Sequence, residues 1–174
     1  AGHIADVFSM AISKSQANMT KLSYSMKYVG PVASGLGISL ESTTAALMQL
    51  YNTGFGGEQA GTYLRNALQK LASGTDELKN KLAELGIAYD EVNPQTNNFA
   101  DILNTLKEHG VGVAEAISIF GEASGGAMAK LIEGGGDAVS TMEGVLAHSE
   151  GSAEAMQKIQ NMSFANTQAE LNSA

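Results

Sequence analysis

The stretch GFGGEQAGTYLRNALQKLASG, residues 54–74, decides how the chain is read. Ala60, Leu64, Ala67, Leu68 and Leu71 recur at three- and four-residue spacing, which makes one face of a helix apolar. Ser73-Gly74 stops that helix. Ahead of it, four glycines lie between 54 and 61. Backbone N–H groups at a helix N-terminus favour an anion, so these glycines raise a phosphate-binding reading. The residues argue against it. The dinucleotide fingerprint requires glycine at 59, which is Gln, and a P-loop requires Gly-Lys-Ser/Thr after its loop. A helical pattern precedes the glycines instead of a strand, and Glu58 would repel a phosphate. They read better as a corner. Gly54 ends one helix and Gly56-Gly57 turn the chain. Glu58 then sits at the positive end of the next helix, and Ala60 and Gly61 let a neighbour approach closely.

Outward from this corner the same period recurs. Ile4, Val7, Phe8, Ala11 and Ile12 line a first helix, and Met19, Leu22, Met26 and Val29 a second that meets Pro31, where it kinks or restarts. Ser39 with Glu41 starts a third, with Leu47, Leu50 and Tyr51 inward. Thr75 caps a helix carrying Leu78, Leu82 and Leu85, closed by Gly86. In IAYDEVNPQTNN, Ile87, Tyr89 and Glu91 alternate before Asn93-Pro94, a pattern that allows one small β-hairpin near 87–99. Asn98 caps Phe99, Ile102, Leu103 and Leu106, and Gly110 stops them. Ile117 and Phe120 follow, then a loop-like FGEASGG, then Met128, Leu131 and Ile132 up to the glycines at 134–136. Val139, Met142, Val145 and Leu146 come next, and Met156, Ile159 and Met162 mark a last polar helix. The fold expected is all-α, a bundle of eight to ten short helices joined by glycine-rich turns.

The 174 residues include 20 glycines, two prolines, no tryptophan and no cysteine, so close-packed helices are favoured and disulfides or cysteine ligands are excluded. Charge is segregated. Residues 1–81 hold seven Lys/Arg against five Asp/Glu, whereas residues 82–174 hold three against thirteen. With a net charge of −8 and a single arginine, the chain lacks the basic stripe that nucleic-acid backbones require. The apolar run YVGPVASGLGISL, 28–40, is too short to span a bilayer. The chain opens and stops inside helical patterns (AGHIADVFSMAI, TQAELNSA), so it reads as a piece of a longer protein.

Catalytic, cofactor and metal residues are not expected. His3, His109 and His148 lack ligand-type partners at helical spacing, and His109 suits the negative end of a helix dipole. No nucleophile elbow occurs. Glu122 is the one carboxylate worth testing as a hydrolase acid. Arg65, alone among Leu64, Ala67 and Leu68, reads as a guanidinium packed along its stem and bonding helix-end carbonyls or an acid, the alternative being an anion or partner contact.

Placed in order, these residues carry a resemblance. Tyr28, Gly30 and Pro31, then Gly37, Ser39 and Glu41, a small-residue helix, Gly54, Gly57 to Gly61 with Ala60, and Leu64-Arg65 follow one another as in the core region of tail tape measure proteins of tailed bacteriophages and prophages. Leu85-Gly86-Ile87, Asp101-Ile102-Leu103 and Phe120-Gly121 continue the series, strongest over 28–87 and thin after about 135. The resemblance implies a non-enzymatic structural role in the tail tube lumen, setting tail length and templating tube assembly. It implies a core module over 1–135 and a helical extension over 136–174. Implied partners are copies of itself, tail tube and baseplate proteins and tail assembly chaperones, with membrane contact left to the parent chain. The implied place is the virion tail, and host cytoplasm during assembly. A membrane-active helical protein acting in genome ejection is the second reading, and a peptidoglycan hydrolase using Glu122 the third.

Overall fold

A computed structural model describes residues 2–157. The described residues form eight α-helices and one 3₁₀ turn. These are α1 (Gly2–Lys14), α2 (Met19–Gly35), α3 (Leu40–Asn52), α4 (Gly57–Ser73), α5 (Asp76–Glu84), the turn Tyr89–Glu91, α6 (Phe99–Glu108), α7 (Val113–Phe120) and α8 (Glu122–Ala147). Residues 152–157 begin a further helical run, which holds Met156. Ile159 and Met162 of the expected last helix lie outside the described residues.

Helix starts follow the short polar residues. Asn18, Ser39 and Thr75 each accept a bond from the backbone N–H three residues on, satisfying a donor that the helix itself leaves free. Asn98 occupies the corresponding place before α6 without such a bond. Helix ends rely on glycine. Gly54, Gly86 and Gly110 adopt φ of 101°, 77° and 76°, a region open to them because they lack a Cβ.

Three expectations are corrected. No hairpin forms near 87–99. Tyr89–Glu91 is a 3₁₀ turn, and the Asn97 amide donates to both Asp90 O and Asn93 O, occupying acceptors that a pairing strand would need. The Tyr89 hydroxyl donates to Leu71 O at 2.6 Å, pinning this segment to the end of α4. Of the two outcomes expected at Pro31, a kink or a restart, the restart does not occur, and α2 runs on to Gly35. FGEASGG is not a loop either: Glu122 opens α8, and the chain turns at Gly121, with φ 90° and ψ 168°, in a region essentially reserved for glycine.

Helix α8 is the axis of the bundle, packing against α1, α3, α4, α6 and α7, while α2 lies across α4 with α3 alongside. The stripe read on α4 is buried at Ala60, Leu64, Ala67, Leu68 and Leu71, and meets Leu47, Leu50, Ile102, Leu103, Met128 and Leu131 in one core. Met19 and Ile4, expected inward, are each 49% exposed.

Candidate functional site

Six of the residues that carry the ordered motif, Tyr28, Gly57, Ala60, Gly61, Leu64 and Arg65, meet at the crossing of α2 over α4. Gly57 and Gly61 face the backbone of α2. A Cβ on Gly61 would stand 2.5 Å from Ser25 O and 2.6 Å from Ser25 Cα, and one on Gly57 would stand 2.8 Å from Lys21 Cα. Only hydrogen fits at either position. Beneath them is a polar node that sequence reading missed. The Tyr51 hydroxyl donates to Ser25 Oγ at 2.6 Å, and Ser25 Oγ donates to Gly57 O at 2.5 Å. The node ties α3, α2 and α4 together through hydroxyls buried at 0% and 2% exposure. Burial pushes the Tyr51 phenol up to about 12, because the phenolate would be desolvated, although the Ser25 bond pulls the other way. The signal for Ser25 was its position between Leu22 and Val29 on the apolar stripe of α2.

On the outer side, the Arg65 guanidinium lies 5.7 Å from the Tyr28 ring centre and bonds Asn66 Oδ1, while the Tyr28 hydroxyl reaches Glu58 at 3.5 Å. Arg65 therefore stacks on an aromatic ring; the expected bonds to helix-end carbonyls or an acid are replaced by Tyr28 and Asn66. Ala60 and Leu64 are buried beneath. The other motif residues stand apart from this crossing. Gly30 meets only the Met26 side chain, Pro31 is exposed, and Gly37, with φ 77°, closes α2. Ser39 caps α3, and Glu41 pairs with His3 at 2.5 Å, joining α1 to α3. Gly54 turns out of α3, and Phe120-Gly121 form the corner between α7 and α8.

Two further close approaches went unread. A Cβ on Gly125 would stand 2.5 Å from Ile117 Cα, and one on Gly136 would overlap Ala100 O. Gly136 N also donates to Asn104 Oδ1 at 2.8 Å beside the kink at Gly135, whose φ is 73°. These fix α8 against α7 and α6.

Chemistry is sparse. Glu122 is exposed in the first turn of α8. His109 and His148 each engage, through Nδ1, the carbonyl oxygen four residues earlier. Among the described residues no group of three or more His, Asp or Glu is placed to hold a metal ion, and no helix is long and apolar enough to cross a membrane.

The profile of a family described as phage-related minor tail protein matches residues 1–125, a span that includes the whole α2–α4 crossing. The tape measure protein of Pneumococcus phage Dp-1 is 32% identical over 162 residues, 90% of this chain. The chain belongs to the phage tail tape measure family. A second relative in that family, the "probable tape measure protein" of Escherichia phage P2, is 31% identical over 138 residues, 75% of this chain. The matches span only 14% and 17% of those two proteins. No solved structure matches the chain. This chain is a folded helical bundle in which α2 crosses α4 at Gly57 and Gly61.

Proposed function

We propose that the chain is a non-enzymatic structural module of a tail tape measure protein. In this reading it occupies the tail tube lumen, helps set tail length and templates tube assembly. It works in the virion tail and passes through the host cytoplasm during assembly. Its partners are copies of itself, tail tube and baseplate proteins and tail assembly chaperones. Residues 1–135 act as the tape-measure-like core module and 136–174 as a helical extension. The observation that carries the proposal is the 32% identity with a tape measure protein over 90% of the chain. The placement of Gly57, Ala60, Gly61 and Leu64 at a helix crossing, where they act by packing, supports it.

The test is an in-frame deletion of residues 28–87 from the parent phage gene, with tails imaged by electron microscopy. The expected result is absent or mis-sized tails. Normal tails of unchanged length would overturn the proposal.

A further inference from the structure

We propose that copies of this chain dock head to tail, with the outer face of α2 in one copy lying antiparallel on the second half of α8 in the next. The inference deepens the self-packing part of the proposed function and rests on that part alone. It starts from two faces that are left uncovered among the described residues. Along α2, Met19, Thr20, Ser23, Tyr24 and Lys27 line a shallow open groove, with Met19 49% and Tyr24 52% exposed. Helix α2 contains Lys21 and Lys27 and no Asp or Glu, and Lys14 lies just before it. Glu58 on the neighbouring helix is engaged by the Tyr28 hydroxyl. Exposed Met and Tyr are enriched at protein interfaces, and the lysines beside them give this face its charge.

The second face has the opposite charge. From 134 to 157 the chain carries Asp137, Glu143, Glu150 and Glu154 and no Lys or Arg, Glu133 just before them being paired with Lys130. The only other basic group there, His148, is engaged through Nδ1 with Gly144 O. On α8, Asp137, Ser140, Thr141, Gly144 and Val145 are exposed, and a Cβ on Gly144 would meet nothing within 4 Å. Lys107 reaches this end of the molecule, but its Nζ is bonded to Glu133 O.

The order of groups sets the orientation. Reading from N- to C-terminus, α2 presents apolar Met19 and Tyr24 and then Lys27, whereas α8 presents Asp137 and then apolar Val145. Met19 to Lys27 and Asp137 to Val145 both span eight residues, about 12 Å along a helix. Laid antiparallel, Lys27 meets Asp137, Met19 meets Val145, and the Tyr24 ring lies over the small Ser140 and Thr141. The antiparallel arrangement also opposes the two helix dipoles. Helix α3 lies between α2 and α8, packing on both, so one copy cannot satisfy one face with the other. A contact between two different faces is heterologous, and unless the rotation closes a ring it builds an open chain of copies.

Charge swaps test this on the purified chain by sedimentation velocity at about 0.15 M salt, where screening acts over about 8 Å. The wild type should form a concentration-dependent series of oligomers. Lys27→Glu and Asp137→Lys should each weaken association by about tenfold or more, through like-charge contact. In an equimolar mixture, native Lys27 of one variant meets native Asp137 of the other and the two swapped positions meet with reversed charges, so both hetero-junctions are complementary and the series should return with the two variants alternating. The double variant should regain the series. Both positions are exposed, and circular dichroism checks that each variant folds. A wild type that stays monomeric at its highest soluble concentration would overturn the proposal, as would single swaps that assemble like wild type. Either failure leaves the tail-length reading standing, because that is measured by deletion in the phage.

Discussion

Glycine plays two separable parts in this chain, and substitution tells them apart residue by residue. At Gly61 the obstacle is space: a Cβ there runs into the Ser25 backbone, which cannot yield without parting α2 from α4. Gly61→Ala should cost about 3 kcal/mol or more in urea unfolding, and Gly61→Leu more still. Gly126 is also helical, but a Cβ there meets nothing within 4 Å. Gly126→Ala should therefore stabilise the fold by up to about 1 kcal/mol, through the better helix propensity of alanine. Equal effects at the two positions would show that the α2–α4 crossing is looser than the distances indicate. The hydroxyl below Gly61 makes a second residue-scale prediction. Removing it in Tyr51→Phe deletes the bond to Ser25 and should cost about 1 kcal/mol at neutral pH. The folded phenol titrates near 12 instead of 10, so the folded state holds its proton more tightly than the unfolded state does. That contribution is fully present below pH 10 and is lost as pH rises through 12. Over that window wild type should lose about 2–3 kcal/mol relative to Tyr51→Phe. Chemical denaturation of both proteins from pH 9 to 12 measures it, and parallel curves would remove Tyr51 from alkaline unfolding.

At the scale of elements, legibility tracked the range of the interaction. The α4 stripe, the Ser39 and Thr75 caps and the glycine stops at 54, 86 and 110 are local, and the sequence displayed each of them. Their residues act on groups three or four positions away, at spacings that periodicity exposes. The hairpin expectation failed because it used only alternation at Ile87, Tyr89 and Glu91. What decides that segment is Tyr89 bonding Leu71, 18 residues back, and Asn97 reaching back to Asp90. Arg65 shows the same limit: its ring partner Tyr28 lies 37 positions away, on another helix. The glycines at 134–136 were legible as a break, but their division of labour was not. Gly135 carries the φ of 73° and ψ of 173° that redirect α8, while Gly136 supplies the close contact with Ala100. Gly135→Ala should cost about 1–3 kcal/mol, because its backbone region is essentially closed to other residues. Gly134 lies in ordinary helical space, so Gly134→Ala should be neutral or slightly stabilising. Thermal unfolding of the pair separates conformational strain from a generic glycine effect, and equal melting temperatures would relocate the break.

For the molecule as a whole, the proposed division at 135 is a statement about which part of the chain folds without the other. Helix α8 runs through that position, and beyond it Val139 and Leu146 are fully buried, while Asp6 of α1 accepts bonds from Gly151 N and Ala153 N. A chain ending at Gly135 loses those two apolar side chains from the core and uncovers the α1 and α3 surfaces against which α8 packs. Burying a Val or Leu contributes about 1.5–3 kcal/mol, so the shortened chain should be less stable by about 3–6 kcal/mol. That is a large share of the roughly 5–15 kcal/mol that holds a domain folded. If 136–174 is an extension on a self-sufficient module, the 1–135 chain keeps one cooperative urea transition at lower midpoint. Its slope should also be smaller, in proportion to the surface no longer buried. A broad transition, or native-like helix content that melts without cooperativity, would place the boundary beyond α8. The α2–α4 crossing, with its polar node and glycine contacts, would then depend on packing contributed from the far side of Gly135.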